Sequence, residues 1–323
     1  MMKTKSWKWR RTTTILLGWM MLAALGAALH SWSPAAAQSR PQDQALDPGF
    51  QARVLPVNAD GQAELQQGQA FLIEVRDPER LLASVRVSFQ DQNIPCLPNA
   101  ERTLWQGLAA VDWDQPPGDY ELFARLQTTH GASYQGRLKI SVEKREFGRE
   151  ELRVAPSMVA PPSEARARIS EDRREFKRVW ANPAVGRFWE GSFLRPTPGR
   201  VTSEFGEYRV YNEQLAGRHG GVDLAAAVGE PIISAAAGKV VMARDCYYTG
   251  GTVVVDHGGG LFTVYCHLSD WPVVVGQMVE KGELIGLAGA TGRVTGPHLH
   301  WGARVQGIRV DPLTLIELNQ WLE

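Results

Sequence analysis

Cysteine is scarce. Cys96, Cys246 and Cys266 are the three in a chain of 323 residues, and so small and odd a set excludes a disulfide-built scaffold and leaves at least one thiol unpaired or bonded to another chain. Cys266 reads as a small buried residue turned away from any site, because a free cysteine commonly behaves as a small hydrophobe. Net charge is missing as well. Thirty-five Lys and Arg balance thirty-five Asp and Glu, so the totals point neither to nucleic acid nor to an anionic membrane surface. There is no internal repeat at solenoid periods. The many glycines form no phosphate loop, because none sits between a strand and a helix with a Lys following.

What is present starts at the amino terminus. Lys3, Lys5, Lys8, Arg10 and Arg11 precede an apolar run from Ile15 to Leu29, and Ala35-Ala36-Ala37-Gln38 offers an Ala-x-Ala cleavage site after Ala37. A basic start, an apolar stretch of about fifteen residues and a small-residue exit match a secretory signal over residues 1–37. The other reading is a retained membrane anchor, for which the run is short against the ~20 residues a span needs. No Cys follows the run, so no lipid anchor is expected. The protein is expected to leave the cytoplasm for the periplasm, cell envelope or extracellular space. Contact with a membrane is expected only if this segment stays uncleaved.

Thirty-two glycines and nineteen prolines, together with clear alternation, favour a mainly β chain. Ala70–Val75, Val85–Phe89, Leu104–Asp112, Tyr120–Leu126 and Tyr134–Val142 read as strands between turns such as Pro116-Pro117-Gly118-Asp119. Strands at this spacing suggest an immunoglobulin-like β-sandwich over residues 48–145. It carries no catalytic constellation, since His130 stands alone in a loop. A binding or positioning module is expected there, with an envelope protein as its candidate partner.

Residues 146–195 read as a connector. Ala155-Pro156 and Ala160-Pro161-Pro162 break structure, and Ser163 is placed to cap a helix running through Trp180. Ile169, Phe176 and Trp180 form its apolar stripe. Acidic and basic residues interleave around the rest, which fits a solvated connector better than a nucleic-acid face. From residue 196 to 323 strands return at Pro231–Ser234, Lys239–Ala243, Thr252–Asp256, Phe262–His267 and Leu299–Val305, with two short ones between Val273 and Gly286.

This last segment holds five of the seven histidines, in four contexts: His219-Gly220-Gly221-Val222-Asp223, Asp256-His257-Gly258, Tyr265-Cys266-His267-Leu268 and His298-Leu299-His300. Residues two apart in a strand share a face, so His298 and His300 project into one space with Leu299 turned away. Two imidazoles together with a distant His and Asp describe a mononuclear metal site. Zinc is the natural ion, because it accepts nitrogen and carboxylate oxygen and a catalytic site leaves one position for water.

With these motifs in order, the segment from Arg200 to Pro312 resembles the lysostaphin/LytM-type zinc metallopeptidases, the duplicated-hybrid-motif fold, which cut peptide bonds in bacterial peptidoglycan. The resemblance rests on Ser203-Glu204-Phe205-Gly206, His219-x-Gly221-x-Asp223, Asp256-His257-Gly258, Tyr265-x-His267-Leu268, Thr291-Gly292, Gly296-Pro297-His298-Leu299-His300 and Val310-Asp311-Pro312. It implies one Zn2+ per catalytic domain, held by His219, Asp223 and His300. It assigns His267 and His298 to catalysis, with the choice of general base open between them. Spacing alone does not separate His298 from the ligands. His257 is expected to be structural, and Asp311 to fix a terminal turn. Arg209 and Asn212 are candidates for the groove wall. Tyr265 either flanks the cleft or shares His267's face.

The expected function is an exported zinc metalloendopeptidase hydrolysing peptidoglycan stems or cross-bridges. One alternative is a catalytically silent LytM-type regulator that activates another wall hydrolase. The other is a secreted zinc protease of non-wall peptides. A further expectation is that the amino-terminal part occludes the groove, so that truncation near residue 195 raises activity.

Overall fold

Tyr120–Leu126 alternates because it lies within the strand Gly118–Thr128, whose Leu122, Ala124 and Leu126 are buried while their neighbours face solvent. Such alternation marks a strand with one face on a core. Its partner Ser133–Glu143 buries Leu138, Ile140 and Val142 in the same way. The computed structural model of the protein describes residues 44–45 and 50–322; the segment read as a signal or anchor lies outside them. Among the described residues, no helix is long and apolar enough to cross a membrane.

The amino-terminal strands form two layers. Leu82–Phe89, Gly118–Thr128 and Ser133–Glu143 make one; Gln51–Leu55, Ala70–Arg76 and Leu104–Ala110 make the other. Gln92–Pro98 belongs to both: Gln92 to Cys96 pair with Val85–Phe89, whereas Leu97 and Pro98 pair with Gln106 and Trp105. A strand that changes sheets in this way forms the corner of a sandwich. Phe71, Ile73, Val75, Phe89 and Trp105 fill the space between the layers.

Ala70–Arg76 is buried along nearly its whole length, which alternation around one core does not explain. Two cores do. Phe71, Ile73 and Val75 face the sandwich interior. Ala70 and Leu72, with Leu55 and Leu108, face outward onto Trp189, Phe193, Leu261, Val305 and Leu315. The same seam carries polar ties: Thr314 Oγ1 accepts the Ala70 N–H at 3.0 Å, and Arg145 pairs with Asp311 at 2.9 Å. Asp311 Oδ1 also accepts the Leu313 N–H at 3.0 Å and so fixes a turn.

The connector helix runs Ala165–Trp180. Ser163 does not cap it: its hydroxyl donates to Glu164 Oε1 at 2.9 Å, and Glu164 takes the cap position with no side-chain hydrogen bond. An adjacent carboxylate won the hydroxyl. The apolar stripe packs on the carboxy-terminal sheet, where Val179 meets Met242, Val254 and Phe262. Phe176 and Trp180 stack with centroids 5.8 Å apart, and Trp180 meets Phe262 edge-on at 5.2 Å.

That sheet has the order Val201–Ser203, Val222–Ala225, His298–Val305, Leu261–Leu268, Gly250–Gly258, Gly238–Cys246, Met278–Val279, and Ile308–Val310 pairs beside His298–Val305. Alongside it lies the hairpin Tyr208–Tyr211/Gln214–Arg218, extended by the connector strand Arg149–Leu152, which pairs parallel to Tyr208–Tyr211. Asn212 and Glu213 form the hairpin's two-residue loop, both at positive φ (49° and 68°). Positive φ at both positions is the type I′ geometry that suits strand twist.

Candidate metal centre and groove

Asp223 and His300 are register partners across Val222–Ala225 and His298–Val305, and His300 is in turn opposite Cys266. Residues directly opposite share a face of the sheet, so one face carries Asp223, His298, His300 and Gly302. Val222, Leu299 and Trp301 turn the other way into the core. Cys266 is buried, yet it lies on the site face and lines the groove, contrary to the expectation that it turns away. Burial pushes its thiol well above the usual range, so it stays protonated.

His219 enters from the end of the neighbouring hairpin. Its backbone is bracketed by hydrogen bonds, His219 N–H to Glu207 O at 2.8 Å and Gly206 N–H to His219 O at 2.9 Å. Its Nδ1–H donates to the Glu204 carbonyl at 2.7 Å, which turns Nε2 inward as an unprotonated donor atom. Gly221 makes the approach possible, since a Cβ there would lie 2.3 Å from the Trp301 carbonyl oxygen. Gly221→Ala is therefore expected to lever the His219–Asp223 turn off the sheet. The expected loss is about 1–3 kcal/mol of stability, read by denaturant melts, together with weakened metal uptake.

Three donor atoms converge. His219 Nε2 lies 3.0 Å from Asp223 Oδ1, His300 Nδ1 lies 2.9 Å from the same oxygen, and the two nitrogens are 2.9 Å apart. Among the described residues these three form the one cluster of potential ligand atoms close enough to share an ion. The set is two imidazoles and a carboxylate. Their spacing approaches that of three donors each about 2.0–2.1 Å from a single tetrahedral zinc, so the residues present fit the ion. Burial opposes ionisation of Asp223, but the His219 and His300 rings set against its oxygen outweigh it and hold the carboxyl far below the usual range. Burial likewise pushes His300 down to about 4. Both shifts favour the deprotonated forms that bind metal.

The carboxylate's second oxygen is held by Arg209, which also pairs with Glu150 of the connector strand at 3.0 Å. Ser203 Oγ accepts from Arg209 at 2.8 Å and lies 2.6 Å from Glu207. Arg209 thus orients Asp223 from outside the three-residue cluster. Asn212 does something else: its side chain bonds both N–H and C=O of Val154, pinning the connector and not lining the groove.

His267 and His298 stand beside the three donors. His298 Nδ1–H donates to Gly296 O and His267 Nδ1–H to Thr291 O, each at 2.8 Å. Each carbonyl can only accept, so each ring is left with a free Nε2 lone pair. The ring centroids are 4.9 Å apart. His267 reaches the site because it breaks alternation, adopting φ 64° at the end of its strand. Tyr265 obeys alternation and is wholly in the core, its hydroxyl accepting from Ala235 N and Thr263 Oγ1 at 2.9 Å. The two residues do not share a face. His257 is buried outside this cluster between Ala237 O and Thr263 Oγ1.

The site opens into a groove of about 670 Å3 walled by Trp113 of the sandwich, by Phe176 and Trp180 of the helix, and by the sheet. A smaller cavity of about 250 Å3 continues past Asp223 and His298 along the connector strand. The three backbone carbonyls of Glu204, Thr291 and Gly296 that fix the imidazoles escape sequence reading, because any residue type supplies a carbonyl. Only the Ser203–Gly206, Thr291-Gly292 and Gly296-Pro297 motifs marked their neighbourhoods.

Residues 217–312 match the model of peptidase family M23. The chain thus carries a domain of that family. All five clustered residues fall inside the match, whereas Ser203 and Arg209 lie before it. The chain is 42% identical over 115 residues to the peptidoglycan DD-endopeptidase ShyA of Vibrio cholerae, covering 35% of this chain and 27% of that protein. It is 39% identical over 117 residues to the DD-carboxypeptidase/endopeptidase Mpg of Neisseria meningitidis, 36% of this chain and 27% of that one. It thus spans about a quarter of the length of these relatives. A solved peptidase M23 from Pseudomonas aeruginosa aligns with TM-score 0.58 and 27% identity over 77% of this chain and 93% of that one. The last likeness extends well beyond the carboxy-terminal sheet.

Proposed function

We propose that this M23 protein is an exported zinc endopeptidase that hydrolyses peptide bonds in peptidoglycan. The observation that carries the reading is the convergence of His219 Nε2, Asp223 Oδ1 and His300 Nδ1 beside two further imidazoles at the base of an open groove. Its support in substrate is that relatives such as ShyA are named peptidoglycan DD-endopeptidases.

His219, Asp223 and His300 would hold the zinc, which when bound would supply a Lewis acid for a carbonyl oxygen and bring the pKa of water toward neutrality. The chain's own groups do the rest. His219 and His300 keep their donor nitrogens deprotonated, and Arg209 holds Asp223 so that Oδ1 faces inward. His298 and His267 present Nε2 lone pairs, and an imidazole that takes a proton there becomes a donor for the developing oxyanion or the leaving amine. Burial, with the neighbouring His300 and His298 rings, pushes His267 down to about 3. Protonating it is costly, which supports His298 as the base and His267 as its partner.

A silent regulator is the weaker reading, since all five positions carry groups able to act. The test is digestion of purified sacculi, with products identified by mass spectrometry, for the intact protein, the chelated protein and His300→Ala. New peptide ends are expected only with the intact, metal-loaded protein. No cleavage after zinc is restored overturns the enzyme reading in favour of the regulator.

A further inference from the structure

The chain as a whole is neutral, but the large groove is not. No Asp or Glu lines it, whereas Arg and Lys side chains line it on three sides. Some of this charge is spent locally, as Arg209 holds Asp223 and Arg218 pairs with Asp114 at 3.1 Å. Arg304 and Arg309 are different. They are direct partners across the antiparallel pairing of His298–Val305 with Ile308–Val310. Like charges directly opposite destabilise a sheet. Among the described residues neither forms an ion pair; Asp112 lies near enough to Arg309 to favour its charge without bonding it.

What holds the pair is weaker. The Arg304 guanidinium donates to the Gly307 carbonyl and lies over the Trp180 ring at 4.9 Å, and Arg309 lies 5.9 Å from the Trp113 ring. Burial, then the charge of Arg309, pushes Arg304 down to about 10. Two cations are kept side by side, facing one cavity, without an internal anion.

Their placement relative to the metal centre is fixed by the strand. His300, Gly302 and Arg304 share a face by alternation, and Gly302 leaves bare backbone between the other two. A Cβ at Gly302 would sit 3.7 Å from His300 Nε2. A Cβ at Gly220 would come within 3.1 Å of Arg309 Cδ, so that glycine leaves Arg309 its room. Arg304 lies four residues along the strand from His300, about 13 Å, or three to four residues of an extended peptide.

We propose that Arg304 and Arg309 clamp a carboxylate of the substrate peptide three to four residues from the bond that is cut. The preferred substrate is therefore an acidic peptide with a free carboxylate at that distance, in place of a neutral or amidated one. A guanidinium pair suits a carboxylate because each offers planar, charge-assisted hydrogen bonds. The proposal rests on the groove being the peptidase cleft, and the test separates the two.

Cross-linked stem peptides from peptidoglycan are prepared with free carboxylates and with the same carboxylates converted to carboxamides. For each protein the readout is the ratio of kcat/KM for the acid over the amide. The native protein is expected to prefer the acid ~10- to 100-fold, the range of one or two charge-assisted hydrogen bonds. Arg304→Gln and Arg309→Gln are each expected to bring the ratio towards one, and Arg309→Lys to restore part of it. An unchanged ratio in both Gln variants overturns the clamp. The same two peptides are titrated by calorimetry into His300→Ala protein with and without Arg309→Gln. If nothing is cleaved by any form, the peptidase reading fails, and the acid-over-amide binding ratio still decides the clamp.

Discussion

Replacing His298 by alanine is expected to leave the metal in place and to lower kcat by ~10²–10⁴-fold, the usual worth of a positioned acid–base group. Replacing His219 is expected to remove metal and activity together. The distinction follows from where each ring is tied. His219 offers its inward Nε2 to the centre shared with Asp223 Oδ1 and His300 Nδ1. His298 stands off, its Nε2 3.7 Å from Asp223 Oδ1 and its Nδ1–H on Gly296 O. Metal content by elemental mass spectrometry and peptide hydrolysis rates, measured on one preparation of each variant, check both halves. His267→Ala should also keep metal but lose less kcat than His298→Ala, because burial makes protonating His267 costly. A His298 variant that loses its metal would make that ring a ligand, and a larger loss in the His267 variant would reverse the two roles.

The donor triad could be read from sequence only with help from the family resemblance, and the reason is physical. Alternation put His298 and His300 in one space, but it could not say that His298 is tethered to Gly296 O while His300 meets Asp223. For His267 alternation misleads. Its left-handed backbone turns the side chain out of the face that Tyr265 occupies, and nothing in Tyr-Cys-His-Leu announces that turn. The long alternating strands were legible, as Gly118–Thr128 and Ser133–Glu143 illustrate. The short ones were not. Val222–Ala225 has four residues and no room for a pattern. The hairpin at Asn212 and Glu213 lacks the glycine that usually marks a type I′ turn. Leu72 and Phe71 were legible as apolar, yet that they serve two different cores is a property of the assembled sheets.

Removing residues 1–195 is expected to yield an insoluble or unfolded fragment, in place of the more active one anticipated from the proline-broken connector. The truncation strips Leu55, Leu72, Leu108, Trp189 and Phe193 from Leu261, Val305, Val310, Leu315 and Leu318, all of which are buried in the shared core. Each large side chain so uncovered forfeits about 1.5–3 kcal/mol. Three or four of them equal the ~5–15 kcal/mol that stabilises a whole domain. The cut also removes Arg149–Leu152, with the Glu150 that pairs with Arg209, and the Trp113, Phe176 and Trp180 walls of the groove. The amino-terminal half thus supplies sides to the cleft and a floor to the sheet beneath it. Leu72→Ala in the full chain isolates the packing part of this argument, with an expected cost of about 2–5 kcal/mol read by denaturant melts. A single cooperative transition for the native protein is expected too, since the halves share a core. A soluble 196–323 fragment that melts cooperatively and digests sacculi at least as fast as the full chain would overturn the argument and restore occlusion as the amino-terminal half's role.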